Sequence, residues 1–324
     1  MPATTTTPRR LLVLGAAGRH KTEDSIVRAA RTLGQVATVV DVPGLRRRLG
    51  SAGLMLAARR AEAFEPDIVL CTRHAHLLGE RRLRALFTGR RACVWYFDFP
   101  VRDEVVALGR LAGELYLTYL GLVADYEARG VPAVKFLPQA LDPDEDRPAA
   151  RISARYRCDA SFVGSGPYPH RWPLLRAIAG MCRLQIRGPG WRDAPRDLPV
   201  AGGEVRGRTF AEVIGGAAVS LGASALAAQD QDRASASNRM WKVLGCGGFF
   251  LGPRIPGIKH FARDGEHCRW FGNIEEAVAI TRWALEHPTE REAVARRGRE
   301  HALANHTYAR RLELLLAGRS YPIA

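Results

Sequence analysis

Short apolar runs alternate with helical stretches along almost the whole chain, and this alternation constrains the fold more than any single residue does. Residues 10–15, 36–40, 68–71, 92–97, 115–119 and 134–137 are nearly continuous apolar runs, the pattern of strands buried on both faces of a parallel sheet. Helical segments lie between them. One carries apolar positions at Ile26, Val27, Ala30 and Leu33 and is closed by Gly34; others are predicted over 54–64 and, rich in arginine, over 80–87. A second series opens with strand 158–163 and continues through helix 171–181, strand 184–186, helix 209–214, strand 217–221, helix 240–246 and strand 247–251. Helices 274–287, 290–304 and 308–316 end it. Repeated β-α-β-α patterning implies parallel sheets covered on both faces.

At 324 residues the chain is long for one such core and comfortable for two. The expectation is an α/β protein of two Rossmann-like domains with parallel sheets facing a central cleft, ligands lying at the carboxyl ends of the strands. The first domain is expected over 1–141. A linker follows over the acidic, proline-bearing stretch 142–150 (DPDEDRPAA), then a second domain over 151–304. The final helix, within 305–324, is expected to pack back on the first domain.

A net charge of +15 favours anionic partners, whether phosphates, nucleic acid or an acidic membrane face. Only four of the 48 basic residues are lysine, so an arginine-rich coding habit explains the same excess. The six cysteines form no C-x-x-C and several sit inside apolar runs, which reads as buried thiols in a reducing compartment rather than a zinc site or a disulfide framework. After a Thr-rich leader, 2–8, the apolar run at 11–14 is too short for a signal peptide. No stretch approaches the ~20 apolar residues of a membrane span, so a cytoplasmic protein is expected.

Four constellations are candidates for chemistry. The loop Gly15-Ala16-Ala17-Gly18-Arg19-His20-Lys21-Thr22 invites a phosphate-loop reading but lacks the glycine before lysine, and it is not G-x-G-x-x-G. It reads as a glycine turn, either part of a ligand-facing wall or simple turn chemistry. Trp95-Tyr96-Phe97-Asp98-Phe99-Pro100 puts a carboxylate at the tip of a buried strand, where it is either a general base for a hydroxyl or a turn and capping residue. Trp95 and Phe97 read as core. His20, His74 and His76 also follow strands. They suit polar lining or an inert loop better than a metal, since two histidines at i, i+2 with no carboxylate make a poor pair.

The densest segment is Ser237-Asn238-Arg239-Met240-Trp241-Lys242-Val243-Leu244-Gly245-Cys246-Gly247-Gly248, which reads as loop, helix and glycine turn before a strand. A helix start with free N–H groups suits a diphosphate. Arg239 and Lys242, three residues apart, share a face and can grip it; Gly247-Gly248 allows close approach. The plain alternative is an amphipathic helix with two surface cations. The polar stretch 229–236, with Asp230 and Asp232, reads either as a lid or as a mobile loop.

This segment resembles the donor-site signature of GT-B glycosyltransferases, in particular the spore-maturation CgeB-like branch with its S-x-R-x-(aromatic)-(E/K)-x-L-x-x-G-G pattern. Pro256-Gly257, Phe261, Asp264-Gly265, Glu275-Glu276-Ala277, His287-Pro288, His306-Thr307-Tyr308 and Arg311 resemble the stretches that follow it. Asp159–Ser165 with Arg171, Gly188–Trp191 and Trp95–Pro100 resemble elements upstream. The resemblance covers most of the chain and is strongest from Asp159 to Arg311.

It implies a metal-independent transferase using a UDP-, GDP- or dTDP-sugar as cosubstrate and no cofactor. Gly164, Ser165, Arg171, Gly188 and Trp191 would line the donor site, completed by Ser237, Asn238, Arg239, Lys242, Gly247 and Gly248. Asp98 and His20 would be catalytic, and Gly15, Gly18, His74 and His76 would line the acceptor side. Many such enzymes hold the ribose diol with a glutamate where this chain has Lys242; a cation cannot accept those hydrogen bonds, and phosphate binding is its natural role. The acceptor stays open among an anionic glycan, a lipid-linked glycan, DNA, a metabolite and a protein. A nucleotide-sugar epimerase or hydrolase on the same fold, and a non-enzymatic nucleic-acid-binding protein, are the competing readings; the chain lacks a recognisable nucleic-acid module.

Overall fold

The computed structural model describes residues 8–226, 228–233 and 235–323, so the leader 2–8, apart from Pro8, and Ala234 lie outside the described residues. The chain divides into two compact units. One runs to Pro138 and takes in Tyr308–Pro322; the other is formed by Gln139–Thr307.

In the first unit β1 (Arg10–Gly15), β2 (Val36–Asp41), β3 (Ile68–Cys71), β4 (Arg91–Tyr96), β5 (Leu115–Leu117) and β6 (Val134–Phe136) form one sheet, ordered β2-β1-β3-β4-β5-β6. Every pairing is parallel. Leu11, Leu12, Val13 and Leu14 are fully buried, as a central strand covered by helices on both faces must be. The chain steps outward from β1 to β2 and then returns to build β3–β6 on the other side, so the strand order reverses between β1 and β3.

The helices are α1 (Thr22–Thr32), α2 (Val42–Ala63), α3 (Glu80–Phe87), α4 (Asp103–Ala112) and α5 (Val123–Ala128). Helix α1 ends at Gly34, whose φ of 74° needs a residue without Cβ. Helix α2 starts twelve residues before the 54–64 helix that its apolar spacing suggests. Pro43-Gly44 reads as a turn, but the Asp41 carboxylate accepts the Gly44 N–H at 3.0 Å and caps the helix, and proline is tolerated in a first turn.

The second unit repeats the plan. Its strands β7 (Cys158–Val163), β8 (Leu184–Arg187), β9 (Val200–Gly202), β10 (Ala217–Leu221), β11 (Phe250–Pro253) and β12 (Arg269–Phe271) form a parallel sheet ordered β12-β11-β10-β7-β8-β9. Here the reversal lies between β7 and β10. The outermost strands β9 and β12 were not expected; neither VAG nor RWF makes a continuous apolar run. Helices α6 (Trp172–Ala179), α7 (Gly207–Gly216), α8 (Asn238–Gly245), α9 (Ile274–Glu286) and α10 (Pro288–Asn305) cover the sheet. The last helix, α11 (Tyr308–Leu316), packs on α1 in the first unit.

The acidic stretch read as a linker lies within the second unit. Asp142 and Asp146 are each 4% exposed, and the Asp146 carboxylate accepts the Asp142 N–H at 2.9 Å. The described cysteines are all reduced, and burial pushes the Cys93 thiol up to about 12.

Candidate functional site

In an open parallel sheet the place where strand order reverses leaves a crevice at the carboxyl ends of the two flanking strands. In the second unit those strands are β7 and β10, and two arginines knit their tips. Arg239, in the first turn of α8, donates Nε to the Val163 carbonyl and Nη1 to the Ala223 carbonyl at 3.3 Å. Arg171 donates Nε to the Ser224 carbonyl at 2.7 Å and Nη1 to the Ser165 carbonyl at 2.8 Å, and only 5% of it is exposed. The guanidinium carbons stand 4.6 Å and 5.7 Å from the centroid of the Phe162 ring. Two permanent positive charges are thus fixed by backbone carbonyls and cation–π contact at the switch point.

Glycines shape the wall. A Cβ on Gly164 would meet Arg239 Nη2 at 2.4 Å, so the missing side chain is the space the guanidinium fills. Trp191 Nε1 donates to the Gly164 carbonyl at 2.9 Å, and Gly188 packs beneath it. At Gly188, φ is 145° and a Cβ would lie 2.0 Å from the Gly164 oxygen. Gly188→Ala is expected to push the β7 tip away and cost about 2–3 kcal/mol of stability, visible in a lowered thermal melt.

Ser237 sits at the cap of α8 in extended conformation, without a side-chain cap bond, so the first-turn N–H groups of Asn238 and Arg239 belong to a helix start carrying partial positive charge. Two of the expected donor groups have partners within the protein. Lys242 Nζ pairs with Asp146 Oδ1 at 3.3 Å, which gives it an internal partner where a phosphate was expected. Gly247, with φ 78°, and Gly248 close the opposite end of α8 through N–H bonds to Leu244 and Val243. A Cβ on Gly248 would strike Ile214 at 2.4 Å, so packing alone already requires a glycine there.

Burial raises the Asp146 carboxyl above its usual range, against the pull of Lys242. The ionised form is therefore the penalised one, and the penalty disappears as pH falls through the raised value. Lys242→Met is expected to cost about 1–3 kcal/mol at neutral pH and progressively less in acid, where Asp146 is protonated; melting curves across pH check this.

In the first unit the reversal lies between β1 and β3. A Cβ on Gly15 would meet Thr72 Oγ1 at 2.3 Å and Glu23 at 2.7 Å. Three loop N–H groups are taken by carboxylates: Ala16 by Glu23 at 3.1 Å, Ala17 by Asp41 at 3.3 Å and Gly18 by Asp24 at 2.7 Å. Such a loop presents no N–H cradle to a phosphate at those positions. His20 follows with φ 69°, in the left-handed region uncommon for a residue with a side chain.

Asp98, just past β4, pairs with Arg73 at 3.0 Å and keeps its side chain 51% exposed. His74, beside it, is held below the usual imidazole range by burial first and by Arg73 second, so it is neutral at neutral pH. His76 donates Nδ1–H to the Arg73 carbonyl at 2.7 Å and faces a groove between α3 and α4. Trp95 is fully buried, its Nε1 donating to the Leu137 carbonyl at 2.9 Å.

Sequence reasoning missed Phe162, the ring between the two guanidiniums, which alternation within β7 makes a core residue. It also missed Glu23, 6% exposed, which accepts from Thr72 Oγ1 at 2.8 Å; an acid in a first helical turn reads as an ordinary dipole partner. Among the described residues no group of three His, Cys, Asp or Glu is arranged to hold a metal, and no helix is long and apolar enough to cross a membrane.

Two six-stranded parallel sheets of this topology are the GT-B glycosyltransferase fold. Residues 171–317, which include α8 and its arginine, match the family model described as glycosyl transferase-like. Anabaena HepE, solved with UDP and glucose, aligns over 96% of this chain and 99% of its own at 12% identity, with a TM-score of 0.69. A Rickettsia africae glycosyltransferase aligns over 96% and 98% at 10% identity and 0.65. The T4 phage enzyme BGT, solved with UDP-glucose, aligns over 95% and 98% at 10% identity and 0.60. No curated protein matches the chain by sequence.

Proposed function

We propose that this chain is a glycosyltransferase of the CgeB-like branch that moves a sugar from a nucleotide-sugar to a hydroxyl acceptor. The observation that carries the reading is the pair of arginines, Arg171 and Arg239, fixed at the strand-order reversal of the second unit beside the start of α8. A departing nucleoside diphosphate gains charge as the glycosidic bond breaks, and prepositioned cations and helix-start N–H groups stabilise that charge without reorganising. Asp98, past β4, acts as the base that takes the acceptor proton, and His20, in the loop after β1, is the second catalytic candidate. The donor is a UDP-, GDP- or dTDP-sugar, and solved relatives bound to UDP-glucose support a uridine donor first. The acceptor hydroxyl belongs to an anionic polymer, a surface glycan or a modified DNA base, in keeping with the +15 charge.

A thermal-shift series with UDP-, GDP-, dTDP-, CDP- and ADP-sugars, without metal, tests this. One nucleotide class is expected to stabilise the protein by ~2.7 kcal/mol at a hundredfold excess over its Kd. Cooperative melting with no shift from any of them would sink the reading. Incubation with the sugar nucleotide alone separates a transferase from an epimerase or hydrolase, which would convert it without an acceptor.

A further inference from the structure

Helix α2 contains a sharp corner that the transfer chemistry does not use. At Gly50, φ is 57° and ψ −133°, far from helical, and Gly53 packs so closely on the first arm that a Cβ there would lie 2.1 Å from the Leu45 carbonyl oxygen. The corner itself, Arg46-Arg47-Arg48-Leu49-Gly50-Ser51-Ala52, is exposed at every residue. Leu49 is 52% exposed and Met55, at the start of the second arm, 48%. Arg59, also exposed, lies one turn beyond Met55 on the same face. Among the described residues no carboxylate pairs with Arg46, Arg47 or Arg48.

A surface that only attracts polyanions needs the arginines alone. Two large apolar side chains left in water beside them fit an interfacial anchor, in which cations meet anionic headgroups and the apolar groups enter the acyl boundary. The first arm leaves the carboxyl end of β2, the same end of that sheet as Gly15 and Asp98. We propose that the α2 corner, from Arg46 to Met55, docks the protein on an anionic lipid bilayer. Docking there holds a lipid-linked hydroxyl near the first unit's strand tips. The docking stands apart from the transfer reading, because vesicle binding needs no sugar nucleotide.

Flotation of the full chain tests it, with phosphatidylcholine vesicles and with vesicles containing about a third phosphatidylglycerol. The protein is expected to float with the anionic vesicles only, and less at high salt. The joint replacement Arg46→Ser, Arg47→Ser and Arg48→Ser is expected to weaken that binding roughly a hundredfold. Leu49→Ser keeps every charge; it should weaken vesicle binding severalfold and leave retention on duplex DNA unchanged. All these positions are exposed, and matched melting curves establish that the variants fold. A Leu49→Ser protein that floats like the parent, or a parent that retains DNA but ignores anionic vesicles, overturns the proposal in favour of a simple polyanion surface.

Discussion

Replacing Arg239 by alanine is expected, on the proposed function, to lower sugar transfer by ~100-fold or more, the scale of one lost charge-stabilising contact in a preorganised site. Arg239 lies where β7 and β10 diverge, its guanidinium over Gly164 and against Phe162, tied to the Val163 and Ala223 carbonyls. Those bonds fix the cation in place, and a fixed cation is what the proposed function needs to stabilise a leaving diphosphate without reorganising. They also mean that alanine strips two carbonyls of a donor, at about 1–2 kcal/mol of stability. The two effects separate experimentally. Turnover per folded molecule reports the charge, and the melting temperature reports the carbonyls. Arg239→Lys keeps a positive charge but not the planar fork, so intermediate turnover is expected. Unchanged turnover in folded Arg239→Ala protein removes Arg239 from the donor site. Arg171 is a harsher position: it is buried, and its truncation leaves the Ser224 and Ser165 carbonyls without their partner, so loss of fold precedes loss of chemistry.

Both sheets were readable because buried parallel strands are continuous apolar runs, and the residues at their tips follow from strand ends alone. Asp98 was singled out that way, as a carboxylate past a strand end, whereas Arg239 was singled out from the helix start that follows a polar loop. What escaped was set by contacts distant in sequence. The Lys242–Asp146 pair joins residues 96 apart, and nothing local distinguishes that aspartate from a solvated linker acid. The start of α2 was hidden because Pro43-Gly44 mimics a turn until the Asp41 cap is seen. Gly247 and Gly248 read as ligand clearance, whereas helix closure and the Ile214 contact claim them. A glycine pair carries the same letters in either role, and only the neighbour that a Cβ would strike tells them apart.

The second large effect belongs to the other unit. Asp98→Asn is expected to abolish most transfer, by about 10²–10⁴-fold, the usual contribution of a positioned general base. The substitution preserves shape, and the amide oxygen can still accept from Arg73. The ion pair it removes joins a partly buried Arg73, 32% exposed, to an exposed Asp98, 51%, and such solvent-accessible pairs contribute about 0–1 kcal/mol. Stability should therefore barely move. Nucleotide-induced stabilisation should match the parent's, since the proposed donor groups Arg171 and Arg239 are untouched. Asp98→Glu keeps the carboxylate but shifts it by a methylene, and partial activity is expected from the lost alignment. A fully active Asp98→Asn enzyme dismisses this carboxylate as the base. The anomeric configuration of its product then matters, since retention would point to the donor's own diphosphate accepting the proton.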